Sequence, residues 1–123
     1  MDKIAQIEEA LGKHALWMSK LRQAVLDAPR GIDLEAIGAD DRCDFGRWLY
    51  GASWSSDERA SRFYQEVRRV HADFHRVAAE VVELAVSGRT TEAFGVLYGE
   101  YVTTSGRLAI ALRAWQEDLR QGR

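Results

Sequence analysis

Apolar side chains recur at alternating spacings of three and four residues along three long stretches of this chain, which is the period of an amphipathic α-helix. The first stretch carries Ile4, Ile7, Leu11, His14, Met18, Leu21 and Val25. The second carries Phe63, Val67, Val70, His71, Phe74, Ala78, Val81 and Ala85. The third carries Phe94, Leu97, Tyr101, Ser105, Leu108, Leu112, Trp115 and Leu119. Because no stretch alternates at period two, the sequence predicts an all-α antiparallel helical bundle of three long helices and one or two short ones.

Turn and capping residues predict where these helices end. Pro29 disfavours helical geometry in the residue before it, and Gly31 follows closely, so the first helix should end near Asp27. Residues 30–42 should form an irregular or partly helical crossover. A short helix is expected over residues 43–50, with Cys43 in its first turn. The remaining boundary signals are an N-cap at Asp40 or Asp41, a stop at Gly51, a capping box from Ser55 to Glu58, and an N-cap at Thr90 or Thr91.

Composition predicts a single small domain over residues 1–123. With 46% apolar residues the chain can bury one modest core, and its only cysteine cannot form an internal disulfide. No segment approaches the roughly 20 apolar residues that a membrane span requires, and the N-terminus has no signal-peptide pattern. The net charge is −2 with both signs interleaved, so no nucleic-acid or membrane surface is predicted. We expect a cytoplasmic protein.

The three histidines and the cysteine form a possible ligand set for one metal ion: His14, Cys43, His71 and His75. His71 and His75 are four residues apart on a predicted helix, so their rings share one face. A single histidine on a helix seam more often packs in the core than binds metal, and a lone cysteine is often a small buried apolar residue. All four, however, occupy inward-facing or cap positions, which favours a shared tetrahedral zinc site with no open position for water.

Known catalytic patterns do not fit these residues. Zinc proteases of the His-Glu-x-x-His type need a glutamate directly after the first histidine, where this chain has Ala72. A di-iron carboxylate site needs an acidic residue three positions before a histidine. Those positions hold Leu11, Arg68 and Ala72. A single cysteine excludes haem attachment through Cys-x-x-Cys-His. We therefore predict that the protein is not an enzyme.

Three motifs together resemble the CZB (chemoreceptor zinc-binding) domain in content and order. They are His14-Ala15-Leu16-Trp17, Cys43-Asp44-Phe45-Gly46-Arg47-Trp48-Leu49 and His71-Ala72-Asp73-Phe74-His75. The resemblance implies that His14, Cys43, His71 and His75 bind Zn²⁺ within a helical bundle that can form a homodimer. It also implies a regulatory role in bacterial signalling, because such domains belong to cytoplasmic chemoreceptors or diguanylate cyclases. The output module would lie in the same or another polypeptide.

Two functional alternatives remain open from the sequence. One is a sensory domain for zinc or for thiol oxidants, with Cys43 as the switchable ligand on a short helix whose N-terminus lowers the thiol pKa. The other is a structural zinc-stabilised bundle that mediates dimerisation. Trp17 and Trp48 are expected to form the apolar surroundings of the site. Trp54 and Tyr98 lie off or at the margins of the helix seams, so some of these aromatic residues should be exposed in a monomer.

Overall fold

The structure, a computed structural model, describes residues 2–27 and 33–122. Its helices are α1 (Lys3–Ala15), α2 (Trp17–Asp27), α3 (Leu34–Gly38), α4 (Asp44–Leu49), α5 (Ser56–Ala60), α6 (Arg62–Val86), α7 (Thr90–Val96) and α8 (Val102–Arg120). A π-helical turn, Leu97–Tyr101, joins α7 to α8 without a loop. No strand occurs in the described part of the chain. The predicted all-α bundle is confirmed, and the count of short helices matches loosely.

Helix α6 is the centre of the bundle. It packs against α8, α3, α7 and α2. Its buried face includes the apolar residues Val67, Val70, Phe74, Val77, Ala78, Val81, Val82 and Ala85. Both His71 and His75 lie on the same buried face. The three-and-four spacing therefore placed these two histidines correctly in the core.

The first predicted helix is broken in two, which the sequence analysis did not anticipate. Leu16 separates α1 from α2, and its amide donates to the carbonyl of Lys13 at 3.1 Å. The apolar pattern stays in phase across the break, so periodicity gives no sign of it. The two halves pack against different neighbours, α1 against α8 and α2 against α6. This difference in packing partners gives a physical reason for the break between α1 and α2.

Several helix ends also differ from the predictions. Cys43 is the N-cap of α4 rather than a residue of its first turn. The Ser55–Glu58 capping box is present, but it opens the one-turn helix α5, and Ser61 caps α6. Arg89 precedes α7 without any side-chain cap bond, so neither predicted threonine is the cap. Pro29 and Gly31 lie outside the described residues.

An aromatic cluster closes one end of the bundle. Trp54 lies between Trp48, Tyr64 and Trp115, with ring centroids 5.0, 5.8 and 4.9 Å away. Only 5% of Trp54 is exposed, so Trp54 is not one of the exposed aromatic residues. Tyr98 is 53% exposed, as expected from its place beside the seam. Within residues 2–27 and 33–122, no helix combines the length and apolar character needed to cross a bilayer.

Candidate metal centre

Three potential ligand atoms from two separate elements meet in the core. Cys43 Sγ lies 3.5 Å from His71 Nε2 and 3.4 Å from His75 Nε2. The two Nε2 atoms are 3.1 Å apart. All three atoms lie within 4.8 Å of one another. The fold therefore brings Cys43, at the start of α4, onto the histidine face of α6.

The spacing of these atoms fits a tetrahedral zinc ion. Zinc–nitrogen bonds of about 2.0–2.1 Å and a zinc–sulfur bond of about 2.3 Å imply roughly 3.3 Å between two nitrogen ligands and roughly 3.6 Å between nitrogen and sulfur. The observed separations of 3.1, 3.4 and 3.5 Å are each within a few tenths of these values. Two imidazoles and one thiolate are also ligands that zinc prefers.

His75 is oriented by a bond from its second nitrogen. Its Nδ1 donates to the carbonyl of Ile37 at 2.8 Å. Because a carbonyl can only accept, the proton must be on Nδ1, which leaves the Nε2 lone pair free for a metal. The Nδ1 of His71 is buried and has no hydrogen-bond partner among the described residues. Helix α3, which carries Ile37, thus helps to define the tautomer of one ligand.

His14 lies beside this cluster, but its ring nitrogens are not among the three ligand atoms that lie within 4.8 Å of one another. Its ring centroid is 5.7 Å from that of His71. Its Nδ1 donates to the carbonyl of Ala10 at 2.9 Å, and its Nε2 is buried without a partner in the described part of the chain. A buried lone pair without a partner is unfavourable, so this atom suits a fourth ligand. His14, Cys43 and His75 also line a common cavity of about 510 Å³.

Burial keeps the three histidines neutral. Burial first, and then the neighbouring His75 and His14, lower the pKa of His71 to about 3. Burial is also the largest cause of the lowered pKa of His14 and of His75. A neutral imidazole is the form that binds a metal cation. At neutral pH the three rings are therefore in the metal-binding state without having to lose a proton.

The backbone amides at the N-terminus of α4 lower the pKa of the Cys43 thiol, as expected, but burial raises it by more. Cys43 is the N-cap of α4, and its Sγ accepts a hydrogen bond from the amide of Gly46 at 3.2 Å. Burial nevertheless raises the pKa of the thiol, and it outweighs the backbone amides that lower it. Desolvation of the thiolate is thus stronger than the helix N-terminus here. A bound cation would favour the thiolate directly.

The end of α4 opposite Cys43 is held by three side chains for which the sequence indicated no such role. The Tyr64 hydroxyl donates to the carbonyl of Leu49 at 2.6 Å, and Trp54 Nε1 donates to the carbonyl of Trp48 at 3.1 Å. Arg59 donates to the carbonyl of Gly51. No local sequence signal marks these contacts, because they depend on how α5 and α6 fold back on α4.

Aromatic rings enclose the cluster. Phe45 lies 4.9 Å from His71, and Trp17 lies 5.5 Å from His75, measured between ring centroids. Phe74 lies 4.8 Å from His14 on the same measure. Trp48 contacts Phe45 rather than a histidine. The apolar surroundings expected from Trp17 and Trp48 are present, and Phe45 and Phe74 complete them.

Gly46 is a positioning residue in the cysteine motif. A Cβ atom at this position would lie 1.9 Å from the carbonyl oxygen of Asp40. Backbone must therefore pass directly over α4 at a point where only glycine leaves room. The sequence analysis quoted Gly46 within the motif but assigned it no role. Its role depends on the close approach of the Asp40 backbone, six residues earlier in the chain.

One comparison with known proteins gave a match. The family model of the chemoreceptor zinc-binding domain (CZB) matches residues 14–82. This range begins at His14 and includes Cys43, His71 and His75. Comparison with curated proteins and with solved structures gave no significant match. The family match and the Cys43, His71 and His75 cluster together confirm the predicted zinc cofactor.

Replacement of Gly46 by alanine should displace the backbone that positions Cys43 and weaken zinc binding by about tenfold or more, as for other changes just outside a metal's ligands. Titration of the metal-free protein with zinc measures this effect. Gly12→Ala is the matched control, because a Cβ there meets nothing within 4 Å and alanine favours a helix by about 0.5–1 kcal/mol. Equal zinc affinity in both variants would contradict the role of Gly46.

Proposed function

The chain belongs to the chemoreceptor zinc-binding domain family, and on that premise we propose that it is a regulatory domain whose zinc ion is held by His14, Cys43, His71 and His75. The observation that supports this proposal best is the convergence of three ligand atoms within 4.8 Å of one another. His14 supplies the fourth ligand through the buried Nε2 atom that has no partner among the described residues. Residues 1–123 act together as one domain in this proposal.

A site with four protein ligands leaves no position for a catalytic water. We therefore propose that the protein is not an enzyme and that zinc has a structural or regulatory role. The helices differ in what they contribute: α6 carries two ligands, whereas Cys43 stands at the start of the short helix α4. Loss of the bond to Cys43 would free this short segment while the histidines retain the metal.

The signal that the domain detects would be zinc itself, a thiol oxidant, or both. Cys43 is half-buried and lines the 510 Å³ cavity, so small reagents can approach its sulfur. The output would be a chemoreceptor or a diguanylate cyclase module, in the same polypeptide or in a partner, and the domain would work in the cytoplasm. The alternative function is a structural zinc bundle whose only role is dimerisation. In that case neither zinc exchange nor oxidation of the sulfur would change the fold.

We also propose that the protein forms a homodimer through the outer face of the continuous segment formed by the π-helical turn and α8. Tyr98, Val102 and Ile110 are spaced by four and eight residues, so they lie along one side of the helix. They are all exposed, and Ile110 is 71% exposed. An exposed apolar stripe of this kind is typical of an interaction surface.

Purified protein should contain one zinc per chain, bound by three nitrogen atoms and one sulfur atom. X-ray absorption at the zinc edge measures this, and a spectrum without sulfur would contradict the proposal that Cys43 binds the zinc ion. His71→Ala or His75→Ala should lose more metal than Cys43→Ser, because both histidines are on the rigid central helix α6. Asp73→Asn is the matched control on the same helix and should retain the full zinc content.

Light scattering at micromolar concentration should show a dimer. Ile110→Glu should convert it to a monomer, because a carboxylate would have to be buried without a partner in the apolar face. Leu26→Glu is the control, since Leu26 is 64% exposed but lies on α2. A wild-type monomer, or equal effects of the two substitutions, would argue against this interface.

Hydrogen peroxide or hypochlorous acid should oxidise the Cys43 thiolate to sulfenic acid, weaken its bond to zinc and increase amide exchange in residues 43–50. Mass spectrometry of the sulfur and hydrogen exchange of this segment test the two steps. Cys43→Ser should show no response of the segment to oxidant. If the sulfur reacts only after global unfolding, or its oxidation leaves exchange unchanged, the structural alternative is favoured.

A further inference from the structure

We propose that Leu16 is a hinge and that His14 moves on it between two positions, one at the metal centre and one against α8. Metal binding would draw His14 to the metal centre, and this movement would shift α1 relative to α2. This inference rests on the proposed function, because it requires His14 as the fourth zinc ligand. Four features of the structure support it.

The first feature is the interruption of hydrogen bonding at Leu16. The Leu16 amide donates to the carbonyl of Lys13 at 3.1 Å, and the Lys20 amide donates to the carbonyl of Leu16 at 3.3 Å. The regular helical pattern of α1 ends at Ala15 and that of α2 begins at Trp17, so Leu16 belongs to neither helix. Neither proline nor glycine stands at the break, and Leu16 is 58% exposed. The interruption at Leu16 is therefore the place where the angle between the two helices can change.

The second feature is that the two helices are attached to different parts of the bundle. Helix α1 packs against α8, and α2 packs against α6. The side chain of Gln116 on α8 donates to the carbonyl of Ile4 and to Glu8, each at 3.1 Å. Arg113 donates to Glu8 at 2.8 Å. These bonds tie the start of α1 to α8, whereas Lys13 near its end forms an exposed ion pair of 3.8 Å with Asp44 of α4. An exposed ion pair contributes little stability, so this end, where His14 lies, is held less firmly.

The third feature is space on both sides of His14. On one side is the 510 Å³ cavity that His14 shares with Cys43 and His75. On the other side is a cavity of about 160 Å³, which His14 lines together with Ser105 of α8. The rest of this second cavity is formed by Leu11, Ala15, Leu108, Ala109 and Leu112. A close-packed core would hold the ring in one place, whereas here the packing leaves room for a second position.

The fourth feature is the Nε2 atom of His14, which is buried without a hydrogen-bond partner in the described part of the chain. The Nδ1 atom already donates to Ala10, so the lone pair of Nε2 can accept a hydrogen bond or bind a metal. A buried acceptor gains stability from either of two neighbours. One is a zinc ion held by Cys43, His71 and His75, and the other, after movement of the ring into the second cavity, is the hydroxyl of Ser105 that lines that cavity. The choice between them would couple metal occupancy to the packing of α1 on α8.

Hydrogen exchange of the full chain with and without zinc tests this inference. In the wild-type protein, zinc should slow exchange at residues 14–19 as well as at residues 43–46 and 71–75. His14→Ala should abolish the protection at 14–19 and keep it at the other two segments. His14→Gln provides a second variant if alanine perturbs folding, which circular dichroism reports.

A second substitution fills the cavity instead of removing the ligand. Ser105→Leu should occupy the 160 Å³ space, hold His14 on the metal side and slow exchange at residues 14–19 before zinc is added. Thr103→Leu, on the exposed side of the same helix, is the matched control and should not change exchange there.

The outcomes separate this inference from the proposed function. If zinc protects residues 43–46 and 71–75 but leaves 14–19 unchanged in the wild-type protein, the hinge is wrong and the zinc site stands. The hinge is also wrong if His14→Ala keeps the protection at 14–19, or if Ser105→Leu behaves like Thr103→Leu. If zinc protects none of the three segments, both the zinc site and the hinge are wrong.

Discussion

The rest of the structure depends on two neutral imidazoles buried side by side on α6. His71 and His75 are almost completely buried, and their Nε2 atoms are 3.1 Å apart. Such a pair cannot be charged, because each ring would lose its hydration and repel the other. The two neutral rings also satisfy each other poorly, since they can form at most one hydrogen bond between their Nε2 atoms. A metal cation satisfies both lone pairs at once, so the pair makes physical sense as half of a metal site.

The third ligand reaches this pair on an element that is held mainly at its far end. Helix α4 is anchored after Trp48 by Tyr64, Trp54 and Arg59, which donate to its last carbonyls and to Gly51 beyond it. Its first residue is preceded by Cys43, whose sulfur faces the two histidines. Burial raises the pKa of this thiol, so the metal must supply the charge that favours the thiolate. The state of the sulfur is thereby linked to the presence of the ion.

Much of the fold and the site could be predicted because both depend on periodicity. The seam of apolar residues placed His71 and His75 on the buried face of α6, and the family motifs named Cys43 as their partner. Other features could not be predicted, because they depend on contacts distant in sequence. The break at Leu16 falls where the apolar pattern is continuous, and it follows from the different partners of α1 and α2. Trp54 falls off or at the margin of the predicted seams, yet it is covered by Trp115, which is sixty-one residues later in the chain.

The sequence by itself determined that the chain forms helices, which faces they bury and which side chains are candidate zinc ligands. Helical period and ligand chemistry are local properties, so they can be recognised without coordinates. Only the tertiary structure decided how far these side chains approach one another. It brings Cys43, His71 and His75 within bonding distance of one ion, whereas it leaves His14 one step away beside a break and between two cavities. It also decided the net shift of the Cys43 pKa, because the burial that raises this pKa outweighs the helix-terminal amides that lower it.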